Sequence, residues 1–540
     1  MTTKLVYLPL DERPCNLLYP QQLAAMTDIE LTVPGVELLG DKKQRADLKK
    51  LEIWLEEQCR DADVLIVSID MLVHGGIVPS RLHQDDAATC LARLQFLQDL
   101  KAIRPNLIIY GFNLITRVPA YSSSEEEPAY YDRFGREIFE MGWLSDKRET
   151  VSLTDEEQRR LDEVLAVIPE EVQLDYLNRR RVNSVVNEVA MAMVESGVLD
   201  YLIIPLDDNA KFGFSAMEQR KLSIRAEMAG LTDRVAIYPG ADEIGCTLFA
   251  RVFCALKHHS PALYVRYSST QGPLCIPKYE DRSLNESLKA HFTAAGAFMA
   301  DASGEADAIL MVHSPPVSQG AMAETDTAIR DRNRAYFSEV NTREFALAMK
   351  HYLERGRLVM LADVALCNGG DDLLMKQLHR LGLLGRLQGY AAWNTSGNSL
   401  GTVIAHAVIA SYYRFAVNRT KETDGQEAGF RRFQAASRHF YVSRLVEDWG
   451  YQALVRRQVC EEVLPALGAS YFELSHVQEQ VCRHIEDKLN HFASVYLCGQ
   501  AAADIQICNV TLPWRRMFEV GFELNLEPAA GEESANERDL

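Results

Sequence analysis

Among eleven cysteines there is no C-x-x-C pair, which leaves neither a zinc site nor a redox dithiol indicated. Their odd number and wide scatter suit reduced thiols. Basic residues are scarce: 57 Lys and Arg stand against 76 Asp and Glu, a formal net charge of −19. That balance excludes sequence-general nucleic-acid binding, which runs on Lys and Arg contacts to phosphate. It also argues against an anionic membrane surface as the main partner. No stretch approaches the roughly 18 uninterrupted apolar residues of a membrane span. The opening MTTKLVYLPLDERP has no basic segment and no long apolar segment after it. No signal peptide is therefore expected, and a cytoplasmic location is. G-x-G-x-x-G and Walker patterns are also missing, so nucleotide phosphate is not a first reading.

What the 540 residues do contain is ordinary globular material, 47% hydrophobic, enough for one large core or two. Short apolar runs alternate with helical patterns, and each run ends in polar residues. Nine such runs read as strands: 4–10, 63–69, 107–112, 201–206, 235–238, 262–267, 308–312, 358–361 and 389–392. Alternating strand and helix implies a mainly parallel sheet with helices outside it. The expectation is a (β/α)8 TIM-like barrel over residues 1–415, with an inserted helical segment at about 119–197. An open doubly wound parallel sheet is the alternative. A barrel closes with eight strands, so one of the nine must lie outside; the sixth or seventh run is the choice. Residues 416–540 read as mostly helical, with an exposed linker at Lys421–Gly429, two short strands within 504–526, and a flexible acidic tail.

Right-handed crossovers place all strand exits on one side. There the chain presents Asp11, Arg13, Asp70, His74, Arg81, Asn113, Arg117, Asp207, Asp208, Asn209, Asp242, Glu243, Asp363, Asn368, Trp393, Asn394 and Asn398. Amides and carboxylates bind hydroxyl-rich ligands, and a flat indole offers a floor for a sugar ring. Gly75-Gly76 and Gly369-Gly370 read first as tight turns and second as phosphate cradles. Cys15 reads as a small core residue before a nucleophile. The centre is YLIIPLDDN, a buried strand ending in Asp207-Asp208. Two like charges side by side cannot both ionise easily, so one carboxyl keeps its proton to higher pH.

The segments YLPLDERPCN, SIDMLVHGG, PLDDN and AAWNTSGN resemble a bacterial family catalogued as a domain of unknown function. Locally, the Asp-Asp pair after the fourth strand resembles O-GlcNAcase-type β-N-acetylhexosaminidases, which are TIM-barrel glycosidases. That resemblance implies a glycoside hydrolase acting on a 2-acetamido sugar by substrate-assisted acid/base catalysis, with no cofactor and no metal. Asp207 would orient the acetamido group and Asp208 would protonate the leaving oxygen. Asn394 would bind sugar hydroxyls and Trp393 would pack on the ring. The alternative is a divalent-metal-dependent hydrolase or lyase, with Asp11, Asp70, His74, Asp207, Asp208 and His313 converging on Mg or Mn. A non-catalytic sugar-binding protein is a third reading. A small-molecule carbohydrate is the expected partner, with no nucleic acid and no membrane; a homo-oligomer is left open.

Overall fold

The computed structural model describes residues 3–419 and 424–527. The expected tail and residues 421–423 of the expected linker lie outside these; residues 424–429 of that linker are instead the start of the helix Asp424–Arg444. The strands are β1 (Lys4–Leu8), β2 (Glu30–Thr32), β3 (Val64–Ser68), β4 (Ile108–Phe112), β5 (Tyr201–Leu206), β6 (Val235–Pro239), β7 (Ala262–Tyr267), β8 (Phe298–Met299), β9 (Ala308–His313), β10 (Val359–Asp363), β11 (Gly389–Ala391), β12 (Asp504–Thr511) and β13 (Gly521–Glu527).

All nine strand expectations are met, but the strands form two open parallel sheets and not a closed barrel. The first runs β2-β1-β3-β4-β5-β6, the second β8-β7-β9-β10-β11; β12 and β13 pair antiparallel. The sixth and seventh runs, one of which was expected outside, are the inner strands β7 and β9. The correction has a plain cause. Reading strands in chain order lays each beside the last and closes a ring at eight. Here β2 and β8 sit on the outer side of β1 and β7, so each sheet reverses its winding once and keeps two free edges. Both are two or three residues long and partly exposed, which leaves no apolar run to detect. The open doubly wound alternative describes each sheet.

The chain divides into two compact units. One comprises Met1–Leu17, Asp28–Leu248 and Tyr279–Asp281; the other comprises Leu18–Thr27, Phe249–Lys278 and Arg282–Leu540. In the first unit, Val6, Leu8, Leu65, Val67, Ile109, Leu202 and Ile204 form one face of the sheet. Leu51, Leu55, Leu94, Leu97, Val186 and Leu222 from the surrounding helices pack on it. The alternate residues Leu5, Tyr7, Ile66 and Ile203 are buried as well. Both faces are therefore covered, which explains why these strands read as continuous apolar runs. Each fully buried Leu or Ile contributes about 1.5–3 kcal/mol. Between β4 and β5 lie the helices Tyr131–Thr150, Asp155–Val167 and Glu170–Glu195, with their own small core of Tyr131, Phe134, Ile138, Val164 and Tyr176.

In the second unit, Ile309, Met311, Val359 and Leu361 face a core built with Tyr441, Trp449, Ile485, Leu489 and Phe492, and with Ile505 and Ile507 of β12. The C-terminal helices and hairpin are thus packed onto the second sheet. One stretch there, Leu445–Val455, is wound as a π-helix, a rare wide form. No helix among the described residues is long and apolar enough to cross a membrane.

Candidate active site

In an open α/β sheet, ligands bind beyond the carboxyl ends of the strands, near the point where strand order reverses. In the first sheet that point lies between β1 and β3. Just past β1, Asp11 is 2% exposed. Its Oδ2 accepts from Arg13 Nε and Nη2 at 3.0 and 2.6 Å, and its Oδ1 accepts from Asn16 Nδ2 at 3.0 Å. Arg13 Nη2 and Asn16 Nδ2 also donate to Asp242 Oδ1, at 2.5 and 2.9 Å. Asp242 follows β6, which is four strand steps from β1, roughly 19 Å in a flat sheet. The contact forms because both exit loops fold in over the carboxyl edge. Glu243 caps its own loop, accepting from the Ala241 N–H at 2.9 Å.

Past β3, Ser68 caps the helix Ile69–His74, accepting from the Met71 N–H. This sets Asp70 in the first turn, where Oδ2 accepts from the Leu114 N–H at 2.9 Å. Burial pushes the Asp70 carboxyl up to about 7. Asn113, past β4, is buried with its Oδ1 unpartnered. Gly75 and Gly76 form the tight turn between helices Ile69–His74 and Ile77–Leu82. At Gly75 (φ +85°) a Cβ would come within 2.9 Å of the Ala46 backbone nitrogen, so this turn requires glycine.

The exit of β5 carries the aspartate pair. Arg81, on the helix Ile77–Leu82, donates from Nη2 to Asp207 Oδ2 at 2.6 Å and from Nη1 to Glu126 Oε2 at 2.7 Å. Arg117 donates to Glu127 Oε1 at 2.9 Å and Glu126 Oε2 at 3.1 Å, and stands 3.5 Å from Asp208 Oδ2. The Asp207 side chain is 9% exposed and the Asp208 side chain 28%. Burial, then the neighbouring charge of Asp207, pushes the Asp208 carboxyl up to about 6. Asp207 also helps raise Asp70 and Asp242, after burial, so these groups share one field. Asp208 has φ +43°, a left-handed conformation that aspartate tolerates better than most residues. Asn209 is held by its backbone N–H to the Tyr279 carbonyl and by Nδ2 to Gln219.

The structure thus brings Asp11, Arg13, Asp70, Arg81, Asn113, Arg117, Asp207, Asp208, Asn209, Asp242 and Glu243 to the carboxyl edge of one sheet. His74 does not join them: it ends its helix stacked on His83, ring centroids 4.3 Å apart. Asp363, Asn368, Trp393, Asn394 and Asn398 belong to the second sheet. There Asp363 accepts from the Asp371 N–H at 2.8 Å and is pushed up to about 6 by burial. Asn368 donates to Glu324, and its backbone N–H bonds the Asn394 carbonyl. Trp393 is 3% exposed and edge-on to Phe518 at 6.1 Å, so its ring is a packing element and not an open floor. Asn398 and Cys15 are buried too. At Gly370 a Cβ would meet the Tyr390 hydroxyl at 2.1 Å, so Gly369-Gly370 is a close-packed turn. His313, of the cation reading, lies between Ser268 Oγ at 2.9 Å and Asp371 Oδ2 at 3.2 Å in the second unit. The six groups named for that reading therefore do not meet as a ligand set.

Glu126 and Glu127 are the functional residues that the sequence reading passed over. They lie in PAYSSSEEE, taken there as a polar loop. Three consecutive acids a few residues after Arg117 were the available signal. Asn16 and Gln219 carried none. No curated protein matches this chain. A family model described as "Protein of unknown function (DUF4127)" matches residues 5–523, and the chain belongs to that family.

Proposed function

We propose that the chain is a glycoside hydrolase that cleaves a 2-acetamido sugar, with the acetamide as internal nucleophile. The observation that carries this reading is the asymmetry of the Asp207–Asp208 pair. Asp207 is buried and gives one oxygen, Oδ2, to Arg81. Its Oδ1 remains to accept from the N–H of a substrate acetamide, which aims the acetamide oxygen at the anomeric carbon. Asp208 reaches solvent and keeps its proton until about pH 6. A carboxylic acid kept protonated toward neutral pH is what a leaving glycosidic oxygen requires.

In the first step the acetamide oxygen bonds to the anomeric carbon while the glycosidic bond breaks. The leaving oxygen takes the Asp208 proton, and the N–H turned toward Asp207 supports the positive charge developing on the oxazoline ring. Arg117, 3.5 Å from Asp208, favours the carboxylate left behind. In the second step a water attacks the anomeric carbon from the face the leaving group vacated. Its proton passes to Asp208, the ring opens, and the configuration is retained. Asp11, Asp70, Asn113 and Asp242, gathered at the same sheet edge, are the groups we assign to the hydroxyl groups of the sugar.

A panel of p-nitrophenyl glycosides tests this. Release of nitrophenol from N-acetylhexosaminides, lost in Asp208→Asn and strongly reduced in Asp207→Asn, is the expected result. A folded wild-type chain inactive on every N-acetylhexosaminide, or full activity in Asp208→Asn, overturns it.

A further inference from the structure

A second constellation lies within the first unit, in a span of 17 residues from His74 to Cys90. His74 ends one short helix, His83 follows the next, Asp85 lies in the connecting turn, and Cys90 is in the first turn of the helix Ala87–Ile103. One nitrogen of each histidine, one carboxylate oxygen and the thiol sulfur all lie within 4.8 Å of one another. Among the described residues it is the one group of three or more such side chains that closes this far.

Four side chains gathered by chance would satisfy one another or face water. These do neither. His74 is 1% exposed, His83 9% and Cys90 0%. The Nδ1 atoms of both histidines are buried without a hydrogen-bond partner; the Asp85 backbone comes near the His83 ring without making one. A buried polar atom left unpaired destabilises by about 1–3 kcal/mol, and here two lie side by side. The His83 tautomer is set from outside the cluster. Asn183 Nδ2 donates to the Ser80 carbonyl at 3.0 Å, which turns Asn183 Oδ1 toward His83 Nε2 at 2.8 Å. That Nε2 therefore carries the proton, which leaves Nδ1 as the nitrogen able to ligate. A hydrogen-bond acceptor holding the far nitrogen of a histidine is the usual outer support of a metal ligand, and the Asn183 amide oxygen fills that place here.

From this geometry we infer that His74, His83, Asp85 and Cys90 form a binding site for a zinc-class divalent ion. Two imidazoles, a thiolate and a carboxylate suit a borderline-soft tetrahedral ion and not magnesium or calcium. Bond lengths of about 2.0–2.3 Å place tetrahedral ligands some 3.3–3.8 Å apart, so the four must draw in by about 1 Å and the stacked rings of His74 and His83 must turn to aim both nitrogens at one ion. Thiolate and carboxylate supply two negative charges toward a divalent cation, the carboxylate being shared with two arginines. Arg93 and Arg45 face the site and both bind Asp85 through Oδ2, at 2.6 and 3.4 Å, so Oδ1 is the ligand atom. Four protein ligands, three of them buried, describe a structural ion and leave no position for substrate. Bound there, it fastens the segment that bears Asp70 and Arg81 to the helix Ala87–Ile103.

The full-length chain, freed of metal by chelator dialysis, is titrated with cobalt(II) and separately with zinc(II). About one equivalent of cobalt is expected, with the visible bands of a tetrahedral ion and a thiolate-to-cobalt charge-transfer band. Zinc is expected to displace it and to raise the thermal midpoint of the chelated protein by several degrees. In Cys90→Ser the charge-transfer band disappears, and in His83→Ala stoichiometric binding is lost. A folded wild-type chain that takes up less than about a tenth of an equivalent of either ion overturns the site, as does an unchanged cobalt spectrum in Cys90→Ser. Should neither variant fold, the wild-type cobalt spectrum decides: a charge-transfer band upholds the thiolate ligand and its absence rejects it. None of these readings depends on glycosidase activity.

Discussion

Two sheets with the same strand order end in different chemistry. In each, the first strand has a short edge strand on one side and the third strand of its run on the other. At the edge of the first sheet, carboxylates outnumber the arginines that hold them, and Asp208 opens to solvent. At the edge of the second, Ser268, His313, Asp371 and Arg332 form a closed chain: Arg332 donates to Asp371 Oδ1 at 3.2 Å, and His313 bonds both Asp371 and Ser268. Burial opposes a charge on His313, but its bond to Asp371 and the charge of Asp363 outweigh that and raise it. The pair His313–Asp371 is therefore a satisfied hydrogen-bonded pair, each residue at most 6% exposed. Topology supplies a crevice; what marks a reactive edge is a titratable group that the fold leaves incompletely paired.

Four variants break or sharpen this contrast. The largest effect belongs to Asp208→Asn, which removes the proposed acid and lowers turnover on N-acetylhexosaminides by about 10²–10⁴-fold with folding intact. Asp371→Asn at the second edge does the reverse. Turnover stays near wild type, while His313 and Arg332 lose their counter-charge and stability falls by about 3–5 kcal/mol, read from urea midpoints. Asp70→Asn comes next. Its carboxyl is raised from the usual value near 4 to about 7, so the folded chain holds a proton that the unfolded chain has released between those pH values. The stability this gives is fully present below about pH 4 and is lost as pH rises to 7. Asp70→Asn should flatten that decline by about 1–3 kcal/mol in denaturation curves taken across this range. The smallest change is kinetic. Activity that needs protonated Asp208 falls as pH rises through about 6, and Arg117→Gln removes a charge that favours the carboxylate, so the falling limb of the pH–rate profile moves to higher pH.

Most strands were legible as apolar runs because they are largely buried, though β9 and β10 run on into His313 and Asp363, which had been read as exits. The two edge strands were not, since a three-residue ELT and a two-residue FM carry no periodicity. Missing them turned two sheets into one barrel. For the site, the exits of β1, β3, β4, β5 and β6 were read correctly as one edge, because a parallel strand fixes the side on which its exit lies. Which sheet each later exit joined could not be read: Trp393 and Asn394 follow β11, and only strand pairing assigns them to the second unit. Glu126 and Glu127 were overlooked because a glutamate in a loop becomes a salt-bridge partner only once Arg81 and Arg117 are positioned. The grouping of His74 and His83 with Cys90 was hidden for another reason, namely that spacings of eight and six residues between them match no common ligand pattern.

The backbone of Asp208, at φ +43°, is held in a region where a side chain is a burden of about 1 kcal/mol and glycine is at ease. A chain selected for robustness alone would have glycine there. Asp208→Gly is thus the substitution that should leave the fold as sturdy or sturdier while silencing the chemistry, and a thermal shift at or above wild type in an inert protein would be its signature. An inert but sturdy Asp208→Gly protein would separate what this carboxyl does from what it holds together.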